Sequence, residues 1–191
     1  MSIAAIIPAA GNSGRMGRQK ALLSFGNGMN FAAYLVGFLE AYGCDPVVLV
    51  VNDEFDLARL PKISHPPVIN NMVSLGRFFS IQLGLQQIPK GSSCFIHNVD
   101  NPFLEKDLLD RMISAAAEDH FVVPVYQGQA GHPVLLGSKV VAGMLQKDPA
   151  GNFREILSGF TRVDVPCSDD RILWNINTPD DYTAFLRRGG E

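Results

Sequence analysis

The residues with the clearest capacity for chemistry lie near the start of the chain, where positions 9–23 read AAGNSGRMGRQKALL. Three glycines recur at every third position of this stretch, and two cationic side chains, Arg15 and Lys20, lie among them and just after them. Glycine lets a backbone turn sharply and bring its N–H groups close to an anion. A guanidinium grips phosphate oxygens as a fork, and an ammonium adds a compact charge. The stretch therefore predicts a phosphate-binding loop.

The spacing of the glycines, Gly11, Gly14 and Gly17, separates this loop from two common nucleotide-binding motifs. A Rossmann dinucleotide loop has the pattern GxGxxG and opens directly into a helix, whereas here the segment ALLSFGNG intervenes before helical periodicity begins. A P-loop requires GxxxxGK followed by Ser or Thr, which no register of the stretch satisfies. The residues alone leave two alternatives: another kind of nucleotide phosphate loop, or a flexible surface loop with incidental charges.

Composition restricts the classes of partner. The chain has 191 residues, which suits one domain, and its 47% apolar and 18% charged residues are the balance of a globular protein. Its net charge of -3 provides no basic field, so neither a nucleic acid nor a membrane is expected as a partner. The cysteines lack zinc-ligand or disulfide spacing, and the apolar start MSIAAIIPAA lacks the basic flank of a signal peptide. A cytoplasmic location with reduced thiols is therefore expected.

Apolar runs typical of buried strands alternate with stretches of helical periodicity up to residue 126. The predicted strands are residues 3–9, 46–51, 66–69, 94–99 and 121–126. The predicted helices are residues 29–42, 73–88 and 103–118. This alternation predicts an α/β fold, with a single domain over residues 1–191 and a mostly parallel sheet flanked by helices.

The pattern becomes less regular after Tyr126. The segment QGQAG predicts a hairpin turn, HPVLLG a strand, and residues 138–147 a helix. GFTRVDVP and RILWNI predict two further short strands, and Thr178 is expected to begin the last helix as the cap of TPDD. In open α/β sheets ligands gather where loops leave the carboxyl ends of strands, which is where the glycine-rich loop would lie.

The glycine-rich stretch also carries a resemblance. PAAGNSGRMGRQKALL resembles the signature LAAGxSxRMGxxKxLL of nucleotidyltransferases with a Rossmann-like nucleotide-diphospho-sugar transferase fold, with Pro8 in place of the first Leu. It is most similar to the molybdenum cofactor cytidylyltransferase group. Four later segments resemble family segments in the same order: NMVSLGRFFSIQLGL, HNVDNPFL, GQAGHPVLL and NINTPDDY. The resemblance implies that residues 1–126 form a nucleotide-binding half and residues 127–191 an acceptor-binding and closing half.

This family resemblance implies a reaction in which an acceptor phosphate attacks the α-phosphate of a nucleoside triphosphate and pyrophosphate leaves. Arg15 would bind the β- and γ-phosphates, and Lys20 would neutralise charge near the α-phosphate. Asp100 would bind Mg²⁺, with Asn177 as a second ligand, so that Arg15, Lys20 and Asp100 are the predicted catalytic residues. The predicted nucleotide-binding residues are Ala9, Ala10, Gly11, Asn12, Ser13, Gly14, Arg15, Lys20, Asn71, Gly76 and Ser80. The predicted acceptor-binding residues are His132 and, in an expected loop at 148–155, Arg154.

The identity of the nucleotide depends on two features that disagree. The sequence PAAG is associated with cytosine, whereas Asn175 and Asn177 replace aspartates of the cytidylyltransferase group and resemble the closing block of the guanylyltransferases. The resemblance favours CTP, with molybdopterin as the phosphorylated acceptor and a molybdoenzyme or its chaperone as a protein partner. The alternatives are a GTP-dependent guanylyltransferase, a sugar-phosphate nucleotidyltransferase, and a non-catalytic protein that binds a nucleotide or cofactor.

Some of these positions also have a purely structural interpretation. Asn101 and Pro102 fit the N-cap and first position of a helix, in which case Asp100 would only favour the helix terminus. His132 follows a glycine turn and fits a packed strand residue. His97 lies in the apolar run CFIHNV and is expected to be a core histidine.

Overall fold

The computed structural model of the chain describes residues 2–11, 16, 19–25, 28–60 and 63–187. Its strands are β1 (Ile3–Pro8), β2 (Val47–Asn52), β3 (Val68–Asn70), β4 (Ser93–Ile96), β5 (His120–Tyr126), β6 (Gln129–Ala130), β7 (Val134–Leu136) and β8 (Thr161–Pro166). Its helices are α1 (Phe31–Tyr42), α2 (Arg77–Leu85), α3 (Lys106–Ser114), α4 (Ser138–Met144), α5 (Phe153–Leu157) and α6 (Pro179–Arg187). Short 3₁₀ helices cover Lys20–Leu22, Leu57–Arg59, Val73–Leu75 and Asp170–Leu173.

The strands form one sheet in the order β3-β2-β1-β4-β7-β5-β6, with β8 beside β5. β1 pairs in parallel with both β2 and β4, β2 pairs in parallel with β3, and β5 with β8. The antiparallel pairs are β4–β7, β5–β7 and β5–β6. The predicted α/β fold with a mostly parallel sheet is thereby confirmed. Because the chain winds from β1 out to β2 and β3 and returns to β4 on the other side, the carboxyl ends of β1 and β4 flank a topological switch point.

Apolar side chains cover both faces of the sheet. All of β2 is buried, and Ile6 and Ile7 of β1 belong to opposite hydrophobic clusters because alternate side chains of a strand point to opposite faces. The cluster around Ile7 includes Phe31 and Leu35 of α1, and the cluster around Ile6 includes Phe78 of α2. Burial on both faces explains why these strands have nearly continuous apolar sequences.

Helix α2 begins later than the periodicity predicts because a glycine interrupts it. Gly76 has a φ of 88°, a left-handed conformation that residues with a Cβ rarely adopt. It separates the 3₁₀ helix Val73–Leu75 from α2, which starts at Arg77. The first residue of α2 is therefore a cation at the carboxyl edge of the sheet.

The alternative interpretation of Asn101 as a helix N-cap is excluded, and the strand predicted before α6 is wrong. Helix α3 starts at Lys106, and Asn101 is not its N-cap: the Asn101 side chain is buried and its amide donates to the carbonyl oxygens of Arg171 and Ile172. The segment RILWNI, predicted as a strand, instead contains most of a 3₁₀ helix. The Ile172 carbonyl also accepts from the N–H of His132, so side-chain and loop contacts occupy backbone groups that a neighbouring strand would need.

The second half otherwise follows the expected order of elements. The QGQAG hairpin is confirmed, with Gln127 and Gly128 at positive φ between β5 and β6. Part of the expected loop at 148–155 is helix α5, whose N-cap Asn152 accepts hydrogen bonds from two backbone N–H groups. Within the ranges described above, no helix combines the length and the apolar character needed to cross a membrane.

Candidate nucleotide-binding site

A cavity of about 380 Å³ opens at the switch point between the carboxyl ends of β1 and β4. The predicted site residues that line it are Ala9, Ala10, Gly11, Lys20, Gly76, Ser80 and Asp100. A Cβ added to Gly11 would meet no protein atom within 4 Å, so packing within the described residues does not require glycine there. The predicted residues Asn12, Ser13, Gly14 and Arg15 lie outside the described residues.

Lys20 connects three segments that are distant in sequence. Its Nζ lies 3.1 Å from Oδ2 of Asp100 and 2.6 Å from Oδ1 of Asn177. The Lys20 and Asp100 side chains are only 17% and 21% exposed, so water screens this ion pair less than a surface pair. Both oxygens contact the same ammonium, and one small cation could therefore reach both.

The loop after β4 fixes the position of Asp100. The N–H of Asn101 donates to the carbonyl oxygen of Asn98 at 3.1 Å, and the N–H of Ile176 donates to that of Asp100 at 2.8 Å. The Asp100 carboxylate also has a buried oxygen, Oδ1, with no hydrogen-bond partner among the described residues. Since α3 begins only at Lys106, Asp100 does not serve as an acidic residue of that helix terminus.

The oxygens of Asp100 and Asn177 fit a hard divalent cation. Mg²⁺ takes one or two protein carboxylates and completes its shell with phosphate oxygens and water. Asp100 has one buried oxygen without a partner among the described residues, and its other oxygen shares the Lys20 ammonium with the amide oxygen of Asn177, which matches that chemistry. The described residues contain no group of three His, Cys, Asp or Glu side chains suited to a metal, so the remaining ligands would come from substrate and solvent.

Asn177 is held by the start of α6. Oδ2 of Asp181 accepts hydrogen bonds from the N–H groups of Asn177 at 2.9 Å and Thr178 at 2.8 Å, and Oγ1 of Thr178 accepts from the N–H of Asp181 at 3.2 Å. This is the capping box predicted for TPDD. The hydrogen bonds from Asn177 and Thr178 lower the pKa of Asp181, so its carboxylate stays ionised and continues to hold the loop.

Ser80 contributes a buried hydroxyl to the cavity. Its Oγ accepts a hydrogen bond from Nδ2 of Asn70 at 2.9 Å, and Oδ1 of Asn70 accepts from the N–H of Met72 at 2.8 Å. The Ser80 hydrogen is therefore oriented away from Asn70 and suits an acceptor atom of a ligand. Asn71, the predicted nucleotide contact, is exposed and lies outside the cavity lining, and its neighbour Asn70 orders Ser80 instead.

A second cavity, of about 1110 Å³, adjoins the first. Gly76 and Arg77 line both cavities and form their common wall. The two predicted acceptor-binding residues, His132 and Arg154, line the second cavity. Four phenylalanines also contribute to its wall: Phe78, Phe121, Phe153 and Phe160.

His132 joins the second cavity to the loop after β4. Nδ2 of Asn98 donates to Nε2 of His132 at 2.7 Å, which places the ring proton on Nδ1. Nδ1 is buried and has no hydrogen-bond partner in the part of the chain that the structure describes. Burial lowers the pKa of His132 well below its usual range, and the charges of Arg77 and Arg154 act in the same direction. The imidazole is therefore neutral near pH 7 and offers a donor.

His97 is the core histidine that the sequence predicts. Its side chain is fully buried, and Nε2 donates to the carbonyl oxygen of Asn101 at 2.6 Å. Burial lowers the pKa of His97 to about 4. Its ring meets that of His132 edge to face, with centroids 6.3 Å apart. His97 thus supports the loop that carries Asp100 rather than contacting a ligand.

Two polar residues that line the first cavity, Arg77 and Asn98, are not singled out by the sequence analysis. Arg77 lies three positions before Ser80, a spacing that places both side chains on one face of a helix. That spacing was a usable signal. Asn98 lies two positions before Asp100, but its contact with His132 joins segments 34 residues apart, which no local pattern reveals.

Comparison with known proteins agrees with this geometry. A family model described as MobA-like NTP transferase domain matches residues 5–165. The chain is 27% identical over 192 residues to the molybdenum cofactor cytidylyltransferase of Escherichia coli (strain K12), covering 98% of this chain and 97% of that protein. It is also 27% identical over 194 residues to a probable molybdenum cofactor guanylyltransferase of Mycobacterium avium (strain 104), covering 98% and 96%.

The fold has a counterpart among solved structures. A nucleotidyl transferase from Methanothermobacter thermautotroptrophicus superposes with a TM-score of 0.80 at 22% identity, covering 98% of this chain and 99% of that one. The family match covers most of the chain and includes the segments that form the cavity. The resemblance carried by the sequence motifs is therefore confirmed, and the chain belongs to the family of MobA-like NTP transferase domains.

Proposed function

We propose that this protein is a nucleotidyltransferase that transfers CMP from CTP to the phosphate of molybdopterin and releases pyrophosphate. The observation that carries the proposal is the convergence of Lys20, Asp100 and Asn177 at the switch point of the sheet. Cationic and metal-ligating groups at the carboxyl ends of parallel strands suit a nucleoside triphosphate. The relative from Escherichia coli is named for cytidylyl transfer in molybdenum cofactor synthesis, which supports the same reaction.

The main contribution of the protein to this reaction would be to neutralise negative charge on the reacting phosphates. An oxygen of the acceptor phosphate forms a bond to the α-phosphorus, the bond to the oxygen that bridges to the β-phosphorus breaks, and pyrophosphate leaves with that electron pair. An anion thus approaches a polyanion, so cations and backbone N–H groups stabilise the transition state. Lys20 would neutralise charge near the α-phosphate, Arg15 would bind the β- and γ-phosphates, and Gly11 would let the backbone approach them. No side-chain nucleophile is needed.

Asp100 and Asn177 would hold Mg²⁺ together with phosphate oxygens of the nucleotide and water. A bound Mg²⁺ supplies charge neutralisation on the transferred and leaving phosphates. Lys20 contacts both protein oxygens, so it would shift toward the phosphates when the metal and nucleotide bind. Because Asn177 brings no negative charge, the protein alone would bind the metal weakly.

The acceptor would occupy the second cavity, which adjoins the first along Arg77. Its volume of about 1110 Å³ suits a heterocyclic molecule of substantial size. His132 offers a neutral donor there and Arg154 a cation that suits a phosphate. The division into a nucleotide-binding half, 1–126, and an acceptor-binding half, 127–191, is part of this proposal.

GTP is the alternative nucleotide. Asn177 in place of an aspartate and the relative from Mycobacterium avium, named as a probable guanylyltransferase, favour it. Against it, the sequence PAAG at the start of the loop is associated with cytosine. Ser80 faces the cavity with a hydroxyl donor, which both bases could accept. The cytidylyl and guanylyl hypotheses are therefore distinguished by whether the protein binds CTP or GTP more tightly.

Calorimetric titration of the protein with CTP and GTP in the presence of Mg²⁺ tests the nucleotide. Wild type should prefer CTP, and Lys20→Met should weaken CTP binding about tenfold or more because a charge-assisted contact is lost. Lys106→Met is the matched control, since Lys106 pairs with Asp110 on the exposed face of α3. A preference for GTP would favour the guanylyltransferase hypothesis over the cytidylyltransferase hypothesis. Binding of neither nucleotide would refute the proposed function.

Pyrophosphate release with molybdopterin as acceptor tests catalysis. Release that requires both CTP and molybdopterin would establish the transferase. A protein that binds CTP but releases no pyrophosphate with molybdopterin or with a sugar phosphate would instead be a non-catalytic binding protein. Release with the sugar phosphate alone would assign the acceptor to that class.

A further inference from the structure

Arg77 occupies the boundary between the two cavities. It follows the left-handed Gly76 and begins α2, and it lines both the nucleotide cavity and the larger one. Its guanidinium carbon lies 5.4 Å from the centroid of the Phe153 ring. Phe153 begins α5 next to Arg154, so this cation–π contact brings the two arginines to neighbouring positions.

The boundary carries an excess of positive charge. Within the described ranges, neither Arg77 nor Arg154 forms an ion pair with a carboxylate, although both line the second cavity. The third arginine of this cavity, Arg162, differs because its Nε lies 2.5 Å from Oδ1 of Asp164. Two cations without a paired carboxylate beside a neutral imidazole, His132, form an environment that suits an anion.

The location of Arg77 and Arg154 favours the phosphate of the acceptor over the triphosphate of the nucleotide as their ligand. The triphosphate would lie beside Lys20 and the backbone of Gly11, which line the first cavity and not the second. A phosphate in the second cavity could contact Arg77, which lines both cavities, whereas Asp100 lines only the first. The charge of Asp100 also acts on Arg77, so the two side chains are near each other. The attacking phosphate must approach the α-phosphate from the acceptor side, and that approach passes the shared wall.

We propose, building on the nucleotidyltransferase function proposed above, that Arg77 binds the attacking phosphate of the acceptor and positions it against the α-phosphate of the nucleotide. Its planar guanidinium donates two hydrogen bonds to that phosphate and exchanges no proton. The phosphate oxygen left unbound by Arg77 attacks the α-phosphorus, and pyrophosphate leaves with the electron pair of the broken bond. Arg154 adds a second positive charge at the acceptor side.

Phenyl phosphate is the probe for this site, because it combines a phosphate monoester with a ring that suits the aromatic wall. The protein is first saturated with Mg²⁺ and a CTP analogue whose α–β bridge is a methylene group, and phenyl phosphate is then titrated calorimetrically. Arg77→Met should weaken phenyl phosphate binding about tenfold to a hundredfold. Arg162→Met removes the same charge from the same cavity and should change this affinity less than about twofold, since Asp164 already pairs with it.

Titrations with nucleotide distinguish a failure of the proposed nucleotidyltransferase function from a failure of the proposed role of Arg77. Arg77→Met should bind the CTP analogue within about threefold of wild type, and Arg77→Lys should recover part of the phenyl phosphate affinity because the charge is retained. Failure of wild type to bind either nucleotide would refute the proposed function itself. With nucleotide bound, the Arg77 inference is overturned if wild type binds no phenyl phosphate or if Arg77→Met binds it unchanged. It is also overturned if Arg77→Met loses nucleotide and probe equally.

Discussion

Lys20 forms an ion pair with Asp100, at 3.1 Å, through the carboxylate that the proposed metal would also bind. The same ammonium contacts the second proposed ligand, Asn177. A cation of the protein therefore occupies the place that we propose for the metal ion. The effects of removing Lys20 should consequently have opposite signs on metal binding and on nucleotide binding.

Lys20→Met should raise the affinity of the nucleotide-free protein for Mn²⁺, used as a spectroscopic substitute for Mg²⁺. The loss of a competing, largely buried ion pair is worth about 1 kcal/mol, or about fivefold in the dissociation constant. Electron paramagnetic resonance of free Mn²⁺ measures this directly. Lys106→Met should leave Mn²⁺ affinity unchanged, and weaker binding by Lys20→Met would show that Lys20 supports the metal rather than competing with it.

Asp100→Asn should abolish most turnover while preserving the fold. The amide is the same size as the carboxylate and can still accept a hydrogen bond from Lys20, but the charge that attracts the metal is lost. Pyrophosphate release should fall about a hundredfold, the scale typical of losing one electrostatic contact in a transition state. Asp107→Asn on the exposed face of α3, where Asp107 pairs with Arg111, is the control. Unchanged release in Asp100→Asn would remove Asp100 from the mechanism.

The sequence predicts the centre of the parallel sheet well because β1, β2 and β4 are buried on both faces and are consequently apolar along most of their length. The family resemblance of its motifs, rather than strand geometry, implies that Lys20 and Asp100 belong to one site. RILWNI shows the limit of this reasoning. Ile172 and Ile176 are both buried, as in a strand, yet the Asn101 side chain binds the backbone of this segment and holds it in another conformation.

Long-range side-chain contacts account for what the sequence could not reveal at the site. The contact between Lys20 and Asn177 joins positions 157 residues apart, and that between Asn98 and His132 joins two segments with no common pattern. The spacing of Arg77 from Ser80 points to one helix face, but only the structure shows that Arg77 lies on the wall shared by two cavities. Local propensity determines the elements, whereas these relationships depend on how the elements pack.

His97 should make the protein less stable in mild acid. Its pKa is lowered from 6.5 to about 4 by burial, so below pH 6.5 the unfolded chain binds a proton that the folded protein does not. This histidine therefore contributes a loss of about 3 kcal/mol in the free energy of unfolding as the pH falls from 6.5 to 4. Urea denaturation at several pH values measures the dependence.

His97→Gln keeps a side-chain N–H that can donate to the Asn101 carbonyl but cannot titrate. The free energy of unfolding of His97→Gln should fall less than that of wild type between pH 6.5 and 4, whatever the effect of the substitution at neutral pH. His65→Gln removes a partly exposed histidine and serves as the control. Identical pH dependence in wild type and His97→Gln would show that other groups determine acid stability.

Substitution by alanine should reduce stability at Gly131 and nucleotide affinity at Gly11. A Cβ on Gly131 would lie 2.5 Å from the carbonyl oxygen of Ile172, so Gly131→Ala should lower the free energy of unfolding by about 1–3 kcal/mol. Gly11 lines the nucleotide cavity, and a Cβ added there would meet no atom of the described residues within 4 Å. Gly11→Ala should therefore retain stability, measured by thermal unfolding, and lose nucleotide affinity, measured by calorimetry. Normal CTP binding by a folded Gly11→Ala protein would place the triphosphate away from this backbone.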